Sequence, residues 1–99
     1  MLKHIVMWEI SEGEGKSKAE NIEIVKLGLE ALPQIISELK SLEMIKNEIP
    51  NGKNYDLMLV ATVENEQDLE KYKNHPQHQE IAKYLSKITI SRAAIDYNF

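Results

Sequence analysis

The sequence predicts an α+β fold: one four-stranded antiparallel sheet with helices packed on one of its faces. Three observations carry that expectation. The hydrophobic residues change period along the chain, from alternation to helical spacing and back, in the order β, α, β, β, α, β. Capping and turn residues fall where the period changes. The segments that read as the first and third strands carry apolar side chains on both faces, so their sheet needs a layer on each side.

Residues Leu2 to Ile10 alternate, with His4, Val6, Trp8 and Ile10 on one face and Ile5 and Met7 on the other. Residues 11–15 form a polar turn containing two glycines. Ser17, with Glu20 three residues later, is a capping-box pattern, and Ile22, Val25, Leu29 and Leu32 follow at helical spacing as far as Pro33. Ile35, Ile36 and Leu39 predict one or two further helical turns before a second strand opens at Leu42, Met44 and Ile45.

Residues 50–54 have strong turn chemistry, Pro-Asn-Gly-Lys-Asn, and the following segment, 55–63, reads as the most buried strand, in an antiparallel hairpin with the second. Tyr55 and Asp56 serve the start of that strand. Asn65 caps a helix carrying Leu69 and Tyr72, and Pro76 suits the first position of another that carries Ile81, Leu85 and Ile88. Alternation returns at Ala93, Ile95, Tyr97 and Phe99, out of phase with Ile88 and Ile90. The resulting order is the ferredoxin-like βαββαβ arrangement, in a single domain spanning residues 1–99.

On the third strand Leu57, Leu59, Ala61 and Val63 share one face while Met58 and Val60 occupy the other. A chain of 99 residues has too little material to cover both faces of its sheet, which predicts a homodimer joined sheet to sheet. Composition narrows the function. With no cysteine there is no disulfide, thiolate metal site or cysteine nucleophile, and a net charge of −4 gives no electrostatic grip on nucleic acid or anionic membrane. No apolar run approaches the ~20 residues that span a bilayer, and the N-terminus runs directly into strand-like sequence, so a cytoplasmic location is expected. The glycines lie in turns or alone in a helix, without a phosphate-binding loop.

Chemistry is expected at Tyr72-Lys73-Asn74-His75-Pro76-Gln77-His78, which places two of the three histidines beside a helix start. His75, held extended by Pro76, can cap that helix or touch a ligand. His78 in the first turn meets the positive end of the helix dipole, which favours a neutral ring suited either to base catalysis or to plain packing. Tyr72, at helical spacing from Leu69, and His4, beside Val6 and Trp8, read as core residues before functional ones. His75 and His78 are three apart but lack a defined third ligand, so no metal site is expected.

Four motifs in order, His4-Ile5-Val6-Met7-Trp8, Tyr55-Asp56-Leu57, His75-Pro76-Gln77-His78 and Ala94-Ile95-Asp96-Tyr97, resemble the stress-responsive α/β-barrel (Dabb) family over nearly the whole chain. The resemblance implies a dimeric α+β barrel in which two ferredoxin-like subunits pack their sheets together. It implies no single activity, but one plant branch acts as polyketide cyclases, performing an intramolecular aldol condensation with a histidine and a tyrosine that match His78 and Tyr72. A second histidine matches His4. In that reading His78 is the base, Tyr72 orients it or donates a hydrogen bond, and Val6 and Trp8 wall an apolar cavity beside His4, with His75 close to the ligand. Gln79, Glu80 and Lys83 make the segment after His78 more polar than an aromatic polyketide would suggest. The expectation is therefore a homodimer, without a cofactor, that binds a small apolar or carbonyl-containing ligand between sheet and helices. An acid/base enzyme of the aldol type is the alternative.

Overall fold

The computed structural model describes all 99 residues. Strand β1 (Leu2–Ile10) leads to helix α1 (Lys18–Glu30) and a single 3-10 turn at Leu32–Gln34. Strands β2 (Ser41–Lys46) and β3 (Leu57–Val63) follow, then helices α2 (Glu66–Asn74) and α3 (Pro76–Ile88) and strand β4 (Thr89–Asn98). The strands form one antiparallel sheet in the order β2-β3-β1-β4, which is the ferredoxin-like topology. No helix is long and apolar enough to cross a membrane.

Local chemistry explains the element boundaries. Ser17 and Glu20 form a reciprocal capping box, the Ser17 hydroxyl accepting from the Glu20 amide (3.1 Å) and the Glu20 carboxylate from the Ser17 amide (2.9 Å). The Asn65 side chain accepts from the Asp68 amide at the start of α2. Pro33 lies inside the 3-10 turn, and the helical turns expected around Ile35 to Leu39 are not formed as a separate helix. Ile36 and Leu39 still reach the core, while Ile35 is exposed.

The third strand begins at Leu57, two residues later than its pattern suggested. Asp56 replaces a rung of the ladder instead: its amide donates to the Trp8 carbonyl (2.9 Å), and its carboxylate accepts from the Ile10 amide (2.8 Å) and pairs with Lys18.

The two faces of the sheet differ sharply. Leu2, His4, Val6, Trp8 and Ile10 of β1 and Leu57, Leu59, Ala61 and Val63 of β3 are buried against the helices. The opposite face, carrying Ile5, Met7, Ile45, Met58, Val60, Ala93, Ile95 and Tyr97, has no helix on it in the single chain, and Ile95 is 65% exposed. The phase change expected near Ile90 is a β-bulge. Ile10 pairs with Thr89 and Glu9 with Ser91, leaving Ile90 without a partner. Beyond the bulge, Arg92, Ala94 and Asp96 share the helix-covered face with Trp8, Val6 and His4.

One buried polar residue joins three elements. Asn21 of α1 is fully buried; its amide nitrogen donates to the carbonyls of Ser11 (2.9 Å) and Gly13 (3.3 Å), and its oxygen accepts from the Tyr84 hydroxyl of α3 (2.5 Å). Gly28 brings the same two helices close, since a Cβ there would sit 3.3 Å from Ile81. Asn21→Ala strands two carbonyls and a hydroxyl and should cost about 2–3 kcal/mol in urea unfolding followed by Trp8 fluorescence, whereas Tyr84→Phe should cost about 1 kcal/mol. Equal losses for the two variants would show that the carbonyl bonds contribute nothing.

Candidate functional site

Between the sheet and helices α2 and α3 lies a cavity of about 490 Å³, within the range of small-molecule sites. Val6, Trp8, Leu29, Leu59, Ala82 and Leu85 give it apolar walls, and His4, Tyr72 and His78 meet in it. Alternation along β1 puts His4, Val6 and Trp8 on the helix-covered face together. Tyr72 comes from the last turns of α2 and His78 from the first turn of α3, so the short break between those helices brings them together. The Tyr72 ring stands edge-on between the two imidazoles, 4.5 Å from His78 and 6.3 Å from His4 by ring centroid.

Hydrogen bonding sets the tautomer of both histidines. His78 Nδ1 lies 3.0 Å from the Lys73 carbonyl, and a carbonyl can only accept, so Nδ1 carries the proton and Nε2 keeps its lone pair. His4 Nδ1 donates to the Asp96 carboxylate at 2.5 Å, which leaves the His4 Nε2 in the same condition. Antiparallel pairing makes this contact, because His4 and Asp96 are direct cross-strand partners.

Burial lowers the pKa of His78 below the ordinary imidazole value of 6.5, with the Lys73 backbone bond opposing and the charges of His4 and Lys73 assisting. Burial also lowers His4, against the hydrogen bond and charge of Asp96. Both rings are therefore neutral at pH 7. Burial pushes the Tyr72 phenol well above its usual range, so the group stays a proton donor. Its hydroxyl has no hydrogen-bond partner within the chain, yet no buried polar atom is left sealed and unsatisfied, which leaves this hydroxyl open to the cavity.

Of the residues singled out from sequence, His4, Val6, Trp8, Tyr72 and His78 line this one space. His75 does not. Its Nδ1 accepts from the Gln77 amide (3.1 Å) and caps α3, the use its position before proline favours. Glu80 and Lys83 are exposed and outside the cavity wall, while Gln79 sits at its rim and donates to the Lys73 carbonyl (2.7 Å). Asp96 carried no assigned role in the sequence, because its partner is 92 residues away and only the pairing of the last strand with the first joins them. Arg92 and Lys73 also line the cavity; Lys73 lies in the segment singled out from sequence without a role of its own, and Arg92 had no sequence signal. No group of three His, Asp or Glu side chains is arranged to hold a metal ion.

Known proteins share this fold. A dimeric protein of unknown function with a ferredoxin-like fold from Bacteroides fragilis is 30% identical, with a TM-score of 0.84 over 99% of this chain and 95% of that one. A dimeric ferredoxin-like protein of unknown function from Thermobifida fusca is 23% identical, with a TM-score of 0.83 over 99% of this chain and 90% of the other. A hydroxynitrile lyase from Passiflora edulis, at 17% identity and a TM-score of 0.79 over 97% of this chain and 90% of that one, shares the fold alone. None of the curated proteins compared matches the chain. The family model of the stress-responsive A/B barrel domain, Dabb, matches residues 2–99. The chain belongs to the stress-responsive A/B barrel (Dabb) family.

Proposed function

We propose that this protein is a sheet-to-sheet homodimer in which each subunit binds a small apolar, carbonyl-containing molecule in the cavity between its sheet and helices. One observation carries the ligand reading: an apolar cavity into which two neutral imidazoles and a phenol are gathered, with both Nε2 atoms and the phenol hydroxyl without partners in the chain. Unpaired polar groups in an apolar setting are costly unless something completes them: a ligand carbonyl accepts from the Tyr72 hydroxyl, and a ligand hydroxyl or acidic C–H group meets the Nε2 lone pairs. The dimer reading is supported by the open apolar face and by the dimeric relatives.

A second reading follows from the fixed tautomers. A base that removes a carbon-bound proton beside a carbonyl needs a free lone pair, and the developing enolate needs a donor. His78 Nε2 takes the proton and becomes an imidazolium, Tyr72 donates to the enolate oxygen, and the enolate carbon is then free to attack a second carbonyl. The His78 imidazolium then returns its proton to the new alkoxide, which restores the neutral base, while Asp96 holds His4 beside the pocket. This is acid/base chemistry of the aldol type.

Sedimentation should find a dimer, and Ile95→Glu, which places a charge within the apolar face, should weaken it by about a hundredfold or more. A dimer indifferent to Ile95→Glu would mean that the sheets are not the interface. For the cavity, phenylacetone titrated by NMR should shift the Trp8 indole and the His78 ring protons first; shifts confined elsewhere would end the ligand reading. Exchange of its α-protons in deuterated water should be accelerated by the protein and lost in His78→Ala with the dimer intact. Because His78 titrates below 6.5, the exchange rate should be flat at pH 7–8 and fall only on the acid side of 6.5, as the base is protonated. Asp96→Ala removes the interactions that raise the His4 pKa, so the His4 titration followed by NMR should move further down; an unchanged titration would deny the pair.

A further inference from the structure

The cavity wall has a charge pattern that the chain as a whole does not. The protein has 16 acidic against 12 basic side chains, yet no Asp or Glu lines the cavity, while Lys73 and Arg92 both do. With His4 and His78 neutral, these two supply all of the wall's positive charge. Arg92 forms no ion pair with any carboxylate in the chain. Lys73 reaches only Glu70, at 4.0 Å, on the outer side of α2. Asp96, on the same face of β4, accepts a hydrogen bond from His4 and forms no ion pair with Arg92.

Arg92 lies opposite Trp8, on the edge strand and exposed, whereas Val6, Leu29 and Leu59 are deeply buried. The cavity is thus apolar at its floor and cationic at its mouth. Both cations act on the interior: their charges lower the His4 pKa, so their field extends to the imidazole within.

Resting on the reading of this cavity as a ligand site, we propose that it selects a small apolar carboxylic acid, its hydrocarbon body inside and its carboxylate held at the mouth by Arg92 with Lys73. A monoanion fits the charge present, since Arg92 is the one cation here without a counter-ion and Lys73 is partly neutralised by Glu70. A guanidinium presents two parallel donors that match the two oxygens of a carboxylate. A volume of about 490 Å³ suits a body of one aromatic ring or a short aliphatic chain.

The test pairs acids with their uncharged amides: benzoate, phenylacetate and hexanoate against benzamide, phenylacetamide and hexanamide. Binding is measured by NMR titration of the Trp8 indole at pH 8 in low salt, where both histidines are neutral. The acids should bind about tenfold more tightly than the amides, and the advantage should shrink as salt is added. Arg92→Gln, an exposed substitution that leaves the fold untouched, should remove about tenfold from the acids and nothing from the amides, and Arg92→Lys should restore part of the difference. Amides binding as well as acids would overturn the charge selection while leaving the cavity a ligand site. Equal losses for both classes in Arg92→Gln would also overturn it, by making Arg92 a packing residue. Failure of all six to bind would overturn this proposal and the ligand reading together.

Discussion

Strand β1 must satisfy two surfaces at once, and the rest of the molecule is arranged around that constraint. It is paired on both edges, by β3 and β4, so its backbone leaves no freedom of register. Because its side chains alternate with a period of two, every residue is committed to one surface or the other. Leu2, Val6 and Ile10 build the core beneath the helices, and Ile5 and Met7 build the open face. His4 and Trp8 fall on the helix-covered side by the same count. The site is therefore a by-product of the core's own periodicity, with one imidazole where a further aliphatic residue would otherwise pack.

The second half of the site arises from an interruption. Pro76 cannot donate a backbone hydrogen bond and holds His75 extended, so the helical run breaks and the last carbonyls of α2 lose their usual partners. The Lys73 carbonyl recovers two donors, His78 Nδ1 and Gln79 Nε2. The bond that closes a frayed helix end is thus the bond that fixes which nitrogen of His78 keeps its lone pair. His75 caps α3 at the same joint, and the two neighbouring histidines divide the work, one holding the backbone and the other facing the cavity. Local stability and the geometry of the site come from a single arrangement of seven residues.

How much of this was legible in the sequence follows from the distance over which each feature is determined. Capping residues Ser17, Asn65 and Pro76 act within one helical turn, and each element they start was read correctly. The two-faced character of β1 and β3 is likewise written in adjacent residues. The His4–Asp96 pair is not: it requires knowing that the last strand lies beside the first and in which register. Asn21 sits in a helix whose neighbours gave no sign that its amide would be enclosed, because its partners come from the preceding loop and from α3. Ile35 belonged to an apolar cluster with Ile36 and Leu39, but the chain turns too tightly there to bury all three. Arg92 carries no local pattern, and Lys73 is marked only by its neighbours; their position in the wall is a property of the closed sheet and the helix pair.

The unpaired residue at Ile90 separates two parts of the molecule that would otherwise be rigidly linked. The end of α3 is placed by its own packing, through Leu85 and Ile88, and β4 is placed by its pairing with β1. The bulge absorbs the one-residue mismatch between them. Loss of Ile90 would leave Thr89 opposite Ile10 and Ser91 opposite Glu9, as they are now, with the pairing beyond them unchanged. The helix-to-strand junction thus takes up an extra residue without turning Arg92 and Asp96 off the helix-covered face. The helix layer and the last strand are in this sense positioned separately, each by its own contacts.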